Sequence, residues 1–374
     1  MFVRIAKASL ARALQDVARA VSPNHPNPLL TGIYLEASAD GLHLKASNTS
    51  LSVECRVPPD DDQTVRETGR IVVPARHLIE IARRLPSEPA TLAVRESCLL
   101  TIEAGSAKFR LCGMDAELFP VWNDEIATDD AILMRRCDLK SVIRQVAGIA
   151  SVSESRPILT GVRFDRDEAG LRFVATDGVR LAARTLPYGG NPAIRPPVTI
   201  PARNLHDIAR MLPDDEELAE ITMGSRRLNV RTDRLHIQTS LLEGAYPSVQ
   251  RFIPQGYLSE AIVQTASLLE AAERIAALAN DSIASLAAGQ TGKLALSSRQ
   301  AEIGEAQDEV AVESSTGDPF AMSLNGPYLV QLLRVLDCER VRLRYAGPMR
   351  PLVLQPAEAP ASALYLIAPV RTAI

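Results

Sequence analysis

A repeated segment constrains this chain more than any other feature of its sequence. Residues 71–86, IVVPARHLIEIARRLP, return at residues 198–213 as VTIPARNLHDIARMLP, with nine of sixteen positions identical. Each copy predicts a strand that ends at Pro74 or Pro201, followed by a helix whose leucines and isoleucine recur every three or four residues on one face. The chain is therefore expected to fold as repeated units.

The opposite face of each repeated helix is basic. Arg76 and Arg83 are seven residues apart, as are Arg203 and Arg210, and this spacing places each pair on one side of its helix. A weaker third copy at residues 324–336 has leucines on its apolar side and an arginine outside it. The sequence therefore predicts three repeats, each with a helix that has one apolar and one basic face.

A second amphipathic helix is expected in each repeat. Candidate helices open at Ser9, Asp138 and Ser267, which are 129 residues apart each time, and each of these N-cap types is followed by leucine. The cations predicted on the polar faces of all six helices are Arg12, Arg19, Arg76, Arg83, Lys140, Arg144, Arg203, Arg210, Arg274 and Arg334.

Alternating segments predict strands between the helices. PLLTGIYLE at 28–36 is echoed as PILTGVRFD at 157–165, and each is followed by a turn and a second alternating strand. After each repeated helix come two strand-like runs, 92–102 with 107–112 and 221–230 with 235–239. We expect an α+β fold in which two helices per repeat cover one face of an antiparallel sheet, with domains at 1–125, 126–252 and 253–374.

Composition describes an ordinary globular chain. Hydrophobic residues make up 46% and aromatic residues 4%, and no apolar run is long enough to predict a membrane span or a secretory signal. Five cysteines without a CxxC pair favour reduced thiols in the cytoplasm. The net charge of −4 is unusual for a nucleic-acid-binding protein, but acidic residues collect in candidate loops, at 60–62, 129–130 and 214–217, whereas arginine collects on the helices.

No pattern in the sequence predicts catalysis, a cofactor or a metal site. Asp177, in Thr-Asp-Gly, is typical of a tight turn, and no partner carboxylate or histidine accompanies it in a motif. The five histidines lack HxH or HxxxH spacing, and neither a Gly-rich phosphate loop nor a GxSxG elbow is present. An enzyme built on a triplicated α+β unit remains a formal alternative.

Three motifs resemble one family along the whole chain. Pro157-Ile158-Leu159-Thr160-Gly161, the segment ATDGVRLA at 175–182 and the closing Ala368-Pro369-Val370-Arg371 occur in the order found in the beta sliding clamp of bacterial DNA polymerase III. The resemblance implies three clamp domains per chain and a head-to-tail homodimeric ring whose helices surround duplex DNA. It implies a processivity factor without enzymatic activity, which tethers the alpha subunit and clamp loader of DNA polymerase III, other polymerases and repair proteins.

The resemblance also implies roles for the helix cations. Charged helix faces are usually solvated and internally paired, and Glu80 and Asp207, between the arginines, support that alternative here. In a clamp, these cations would contact phosphates without base specificity. Asn24 or His25 in one loop, and Ser153 in another, stand where the family has a long basic or amide side chain, which makes those loop contacts doubtful.

A pocket for partner peptides rich in Gln, Leu and Phe is implied between the second and third domains. Its positions are Arg156, Ile158, Leu159, Thr176, Gly178, Val179, Arg180, Leu181, Pro247, Arg251, Phe252, Ile367, Ala368, Pro369, Val370 and Arg371. The alternative is that these residues only pack the second domain against the end of the chain. Ile158 stands where the family often has an aromatic residue, Ala368 and Val370 replace methionines, and residues 372–374 extend beyond the usual end, so partner preference is expected to differ.

The dimer contact implied by the family joins an edge strand bearing Phe109 and Leu111 to Ala277 and Leu278 at the end of a third-domain helix. A specialised clamp paralogue with few partners is the alternative function.

Overall fold

The computed structural model describes residues 1–59, 64–95, 98–120, 131–167, 170–188, 196–278, 283–289, 292–300 and 304–371. The acidic runs at 60–62 and 129–130 and the extension at 372–374 lie outside these residues. The chain divides into two compact units, Met1–Lys140 with Asp207–Leu241, and Ser141–His206 with Leu242–Ile374.

The first repeat begins and ends with strands. Its elements are β1 (Phe2–Ile5), α1 (Lys7–Val17), β2 (Gly32–Ser38), β3 (Gly41–Ser47), β4 (Leu51–Val57), β5 (Thr64–Glu67), β6 (Gly69–Pro74), α2 (Ala75–Arg84), β7 (Ala90–Val94), β8 (Leu99–Ala104) and β9 (Ala107–Cys112).

The second repeat follows the same order. Its elements are β10 (Ile132–Arg135), α3 (Arg136–Val146), β11 (Gly161–Asp167), β12 (Gly170–Thr176), β13 (Arg180–Leu186), β14 (Val198–Pro201), α4 (Ala202–Met211), β15 (Leu218–Met223), β16 (Arg227–Arg231) and β17 (Leu235–Ser240).

The third repeat completes the series with one unusually long strand, β21. Its elements are β18 (Ser259–Gln264), α5 (Thr265–Leu278), β19 (Ile283–Ala288), β20 (Lys293–Gln300), β21 (Gly304–Gly317), β22 (Phe320–Asn325), α6 (Gly326–Val335), β23 (Arg340–Tyr345), β24 (Leu352–Pro356) and β25 (Ala363–Ile367).

The helices bury the apolar faces that the repeat predicts. Leu78 is fully buried in α2, Leu205 and Ile208 are buried in α4, and Leu329 and Leu333 are buried in α6. The same holds for α1, α3 and α5, where the buried residues include those predicted at 10, 14, 139, 142, 268 and 271. Burial of these aliphatic stripes against the strands is the main force that holds each repeat together.

The expectation of one sheet per repeat is wrong. The strands of the first repeat divide between a five-stranded sheet, β5-β1-β7-β8-β9, and an eight-stranded sheet, β10-β15-β16-β17-β4-β3-β2-β6, which it shares with the second repeat. The third sheet has twelve strands, β14-β11-β12-β13-β25-β24-β23-β18-β21-β20-β19-β22, and is shared by the second and third repeats. Sheets continue across the repeat boundaries because a strand edge that meets another edge satisfies its backbone hydrogen bonds there.

The helix starts predicted at Ser9, Asp138 and Ser267 are two residues late. In α3 and α5, which follow directly on a strand, the first N–H group finds a backbone acceptor elsewhere in the fold: Arg136 N donates to Glu217 O at 2.8 Å, and Thr265 N donates to Glu339 O at 2.9 Å. In α1, Ala6 takes the N-cap position and forms no side-chain cap hydrogen bond.

Two strand predictions also need correction. The run at 92–102 is two strands, β7 and β8, and the run at 221–230 covers most of β15 and β16, so three strands follow each repeated helix. The segments 28–31 and 157–160 are short 3₁₀ turns before β2 and β11, because proline at their start suits a helical first turn.

Candidate functional site

The predicted cations of the first two repeats differ in whether they have hydrogen-bond or ion-pair partners. Arg76 and Arg83 on α2 and Arg203 on α4 are exposed, and none has a hydrogen-bond or ion-pair partner in the described part of the chain. Glu80, which was expected to offset the arginines of α2, instead pairs with Arg84 at 2.5 Å. The three arginines are therefore available to an external anion.

Asp207 binds two other members of the predicted set. Its Oδ1 accepts a hydrogen bond from Arg19 Nη1 at 3.3 Å and lies 4.0 Å from Arg210 Nη1. The Arg19 side chain is 24% exposed and that of Arg210 is 67% exposed. The Arg19 guanidinium is therefore mostly buried against its protein partner, whereas the Arg210 side chain is mostly exposed to solvent.

Lys140 was expected to be exposed, and this expectation is wrong. Its side chain is only 13% exposed, and Nζ lies 3.6 Å from Asp214 Oδ2 and donates to the carbonyl of Leu212 at 3.2 Å. The acidic loop at 214–217 draws the ammonium inward because a half-buried cation requires anionic and carbonyl partners. Arg144, one turn further along α3, is exposed.

The same acidic loop binds a residue that the sequence analysis missed. Arg136 is 4% exposed, donates to Asp215 at 2.7 Å and to Asp233 at 2.9 Å, and also donates to Glu217. Three carboxylates around one buried guanidinium fasten the start of α3 to β15 and to the turn before β17. The one indication of this contact in the sequence is the acidic run at 214–217, whose clustered carboxylates favour a nearby cation.

The cations of the third repeat are paired with carboxylates. Arg274 Nε donates to Asp308 at 2.6 Å, and Arg334 Nη2 donates to Glu273 at 2.7 Å. Both arginines remain about 60% exposed, so each can still reach solvent. Arg12 on α1 is exposed. Burial raises the pKa of nearby Asp16, and the charges of Arg234 and Arg12 only partly offset this.

The turn between β12 and β13 is built from side chains of the ATDGVRLA motif. Asp177 Oδ1 accepts from the backbone N–H groups of Val179 and Arg180, both at 2.9 Å, and Thr176 Oγ1 donates to the carbonyl of Arg180 at 2.7 Å. Gly178 has φ +95°, a conformation that side chains disfavour. Asp177 is thus a turn residue, as its motif predicts.

Arg180 is held by partners from the second and the third repeat. Its Nε donates to Asp177 at 2.9 Å, its Nη1 donates to Gln331, and its guanidinium lies 4.2 Å from the ring centroid of Tyr328. Because the side chain is almost fully buried, it positions the turn and α6 and does not offer a free charge.

Strand contacts bring the predicted pocket segments together. Ala368 N donates to the carbonyl of Val179 at 2.9 Å, and Val370 N donates to that of Ser323 at 2.8 Å. Thr176 N donates to the hydroxyl of Tyr246 at 3.1 Å, and burial raises the pKa of Tyr246 to about 12. The turn, the segment before Pro247 and the end of the chain therefore form one cluster.

The members of that cluster differ in exposure. Leu159, Leu181 and Ile367 are buried, so they support the pocket from beneath. The exposed or half-exposed apolar positions are Ile158, Val179, Pro247, Phe252, Ala368, Pro369 and Val370, and the exposed basic positions are Arg156, Arg251 and Arg371. A partly exposed apolar floor with arginines around it suits an apolar peptide anchor.

The edge residues Phe109 and Leu111 lie on β9, which pairs only with β8 among the described strands. Both side chains are half-buried, and Ala277 is exposed at the end of α5. The side chain of Leu278 lies outside the described part of the chain.

Among the described residues, no group of three or more His, Cys, Asp and Glu side chains is arranged to hold a metal ion. The cysteines there are free thiols. No described helix is both long enough and apolar enough to cross a membrane.

Three repeats of one helix-and-strand unit, with shared sheets and basic outer helix faces, define a three-domain clamp protein. Family models of the DNA polymerase III beta subunit match the chain in order: the N-terminal domain at residues 1–123, the central domain at 134–248 and the C-terminal domain at 250–371. The chain belongs to the DNA polymerase III beta-subunit family, the beta sliding clamps.

Individual relatives agree with this assignment over nearly the whole length. The beta sliding clamp of Bacillus subtilis (strain 168) is 32% identical over 375 residues, which cover 98% of this chain and 99% of the relative. That of Staphylococcus aureus (strain Mu50) is 31% identical over 365 residues, 96% of each chain. The crystal structure of the sliding clamp from Bacillus subtilis matches with a TM-score of 0.95 and 32% identity over 100% of both chains. That of the Pseudomonas aeruginosa clamp bound to griselimycin matches with a TM-score of 0.92 and 26% identity, also over 100% of both chains.

Proposed function

We propose that this chain forms a head-to-tail homodimeric ring of six domains around duplex DNA, and tethers the replicative polymerase and other DNA-processing proteins without chemistry of its own. The proposal keeps the domain boundaries at 1–125, 126–252 and 253–374. Such a clamp acts on the bacterial chromosome and hence in the cytoplasm.

The observation that carries the proposal is a strand junction that occurs twice within the chain. β4 of the first repeat pairs antiparallel with β17 of the second, with Val53 opposite Ile237. β13 of the second repeat pairs antiparallel with β25 of the third, with Ala182 opposite Tyr365. In both junctions, the fourth of the repeat's common strands meets the last strand of the next repeat.

One strand edge of each of these two types has no partner within the described chain. β9 is the last strand of the first repeat, and β21 occupies the position of β4 and β13 in the third. In the described residues, β9 pairs only with β8, and the first half of β21 pairs only with β20. The β9 edge of one copy and the β21 edge of another would form the junction a third time, and two such contacts close a ring.

The interior surface of such a ring would give a role to the helix arginines that lack partners among the described residues. Arg76, Arg83 and Arg203 lie on the repeated helices that the family places around DNA, and long flexible cations suit contacts to phosphates without base specificity. Direct affinity for short linear duplex should therefore be weak and fall steeply with salt.

Topological binding is the test of this function. A clamp loaded onto nicked circular duplex by a clamp loader should persist through gel filtration in moderate salt, and should leave when one restriction cut linearises the circle. A circle that lacks the restriction site is the control. Equal retention on cut and uncut circles, or salt-resistant, sequence-specific binding to short duplex, would contradict the proposal.

We also propose that the cluster around Val179, Ala368 and Val370 binds short partner peptides rich in Gln, Leu and Phe. The support is the half-exposed apolar floor that the β12–β13 turn and the chain end form. Methionine adapts its shape to different ligands, so the alanine and valine at 368 and 370 give a stiffer pocket with a different preference.

Fluorescence polarisation with a labelled peptide of that kind tests the pocket. Ala368→Met with Val370→Met should bind more tightly than the wild type by about 1 to 2 kcal/mol, the free energy of a few added methylene contacts. Ala361→Met, at an exposed position outside the proposed pocket, should leave binding unchanged. Identical strong binding by all three proteins would show that the departures at 368 and 370 are neutral.

A further inference from the structure

A cavity of about 260 Å³ lies in the second unit and shares no lining residue with the proposed peptide pocket. Its walls come from α3, from β13, from the segment between α6 and β23, and from the segment between β24 and β25. A single water needs only about 10 to 15 Å³ of such space, so this volume admits a small organic molecule.

Two hydrogen-bond donors in the cavity wall have no protein acceptor. Arg184 Nε is fully buried without a hydrogen-bond partner. Tyr365 is 1% exposed, and in the described part of the chain its hydroxyl has no hydrogen-bond partner. Burial raises the pKa of this phenol well above its usual value, so the group stays a neutral donor. A fully buried donor is normally paired, so Arg184 Nε calls for an acceptor from outside the chain, and the Tyr365 hydroxyl offers a second donor in the same wall.

Two carboxylates line the cavity wall, but neither forms an ion pair with Arg184 within the described residues. Glu358 lines the wall, but it accepts a hydrogen bond from Arg340 at 2.8 Å. Asp337 is exposed and forms no ion pair with Arg184 within the described residues. Gln145 is 5% exposed, and its amide nitrogen donates to Ser141 at 3.1 Å. The guanidinium is thus the one cation of the wall, and it lacks a carboxylate partner there.

We propose that this cavity binds a small organic anion, whose carboxylate or phosphate oxygens accept hydrogen bonds from Arg184 and Tyr365. The short apolar part of the ligand lies against Leu336 and Pro356, which form the aliphatic wall. Planar guanidinium groups favour both kinds of oxyanion, so the shared chemistry is an oxyanion of small size.

The ligand would contact both repeats at their junction. Arg184 is opposite Ala363 where β13 pairs with β25, and Thr185 N donates to the carbonyl of Ser362 at 2.9 Å. A molecule held by Arg184 from the second repeat and Tyr365 from the third adds to this pairing. Binding should therefore raise the melting temperature of the protein, since a ligand that binds only the folded state stabilises it.

Cys338 supplies a reporter for occupancy because its half-buried thiol lines the cavity, 3.6 Å from Thr265 Oγ1. Burial raises the pKa of this thiol, so alkylation by iodoacetamide is followed at pH 8.5 with peptide mass spectrometry.

Propionate and inorganic phosphate are the two probes, which separate a carboxylate from a phosphate ligand. At about four times the dissociation constant, the rate at Cys338 should fall about fivefold, because only the empty fraction reacts. The exposed Cys112 should react at an unchanged rate.

Arg184→Gln should abolish protection by both probes, and Tyr365→Phe should weaken it while the ring keeps its place. Arg172→Gln, which removes an arginine from the neighbouring strand β12 outside the cavity, is the matched control and should leave protection intact. A far-UV circular dichroism spectrum and a cooperative thermal transition like those of the wild type show that each variant is folded. Absence of saturable protection with either probe, or equal protection in Arg184→Gln, would overturn the proposal and leave a cavity filled by water alone.

Discussion

His43 on β3 lies between two carboxylates. Its Nδ1 is 3.0 Å from Glu54 Oε1 on the neighbouring strand β4, and its Nε2 is 3.2 Å from both carboxylate oxygens of Asp40 in the preceding turn. The hydrogen bond with Glu54 is the largest cause that raises the pKa of His43, followed by that with Asp40, although burial opposes both. The cationic imidazole therefore fastens the β2–β3 turn to β4.

We predict that this contact makes stability depend on pH. Both carboxylates stay ionised above about pH 5, since their pKa values are lowered, that of Asp40 to about 2. The stabilisation is complete below the ordinary histidine pKa of about 6.5, and is lost as pH rises through the raised pKa of the folded state.

Urea unfolding between pH 5.5 and 8.5, compared with His43→Gln, checks the prediction. The free-energy difference between the two proteins should shrink with rising pH by about 1 kcal/mol, the scale of a partly exposed ion pair. His25→Gln, which removes a histidine that accepts only a local backbone hydrogen bond, is the control. A difference that is constant across this range would refute the assignment.

At the scale of the helix, arginines at the same seven-residue spacing on α2 and α4 differ in whether they form ion pairs. The arginines seven residues apart on α2 have no partner in the described chain, whereas Arg210 on α4 shares Asp207 with Arg19. Asp207 stands where α2 has Glu80, but Glu80 turns to Arg84 because they are four residues apart on the same helix face. Acidic partners on other elements therefore decide which cations remain available.

We expect Arg76→Gln, Arg83→Gln and Arg203→Gln together to weaken duplex binding and to reduce the slope of log affinity against log salt by about 3, or about one per lost phosphate contact. Titration of a labelled duplex at several salt concentrations measures the slope. The matched control replaces Arg274, Arg334 and Arg340, each paired with a carboxylate, and should change the slope less. Equal effects of the two triple variants would show that pairing does not select the DNA contacts.

At the scale of the whole molecule, the edges of β9 and of the first half of β21 that have no strand partner in the described residues are the basis of the proposed dimer. Long unpaired edges invite aggregation, and a closed assembly hides them. On β9 the half-buried Phe109 and Leu111 alternate with the exposed Lys108 and Arg110, so one face of this edge is apolar.

If this edge forms the proposed dimer contact, Phe109→Asp with Leu111→Asp should convert the dimer into monomers. The expected loss is about 3 kcal/mol, or roughly a hundredfold in dissociation constant, because each buried interface anchor typically contributes more than 1 kcal/mol. Sedimentation equilibrium at micromolar concentration measures it, with Leu118→Asp, an exposed leucine of the same domain outside β9, as control. A wild-type protein that is monomeric under these conditions would exclude the proposed interface.

The sequence by itself determined the threefold repeat, the buried stripes of the helices, the role of Asp177 in its turn and the family. The helix stripes and the turn follow from local chemistry: the spacing of apolar residues along a helix, and the hydrogen bonds that an aspartate makes to the next backbone groups. The repeat and the family follow from comparing segments of the sequence, which requires no knowledge of which segments meet in space.

The tertiary structure alone decided how strands divide between sheets and which cations are free. One sheet per repeat was wrong because strand edges pair with whichever edge lies beside them, and this requires the neighbouring repeat. Lys140 was expected to be exposed, but residues 72 and 74 positions later bind it. A charge pattern read along one helix cannot reveal such partners, since ion pairing is decided by distance in space and not by distance in sequence.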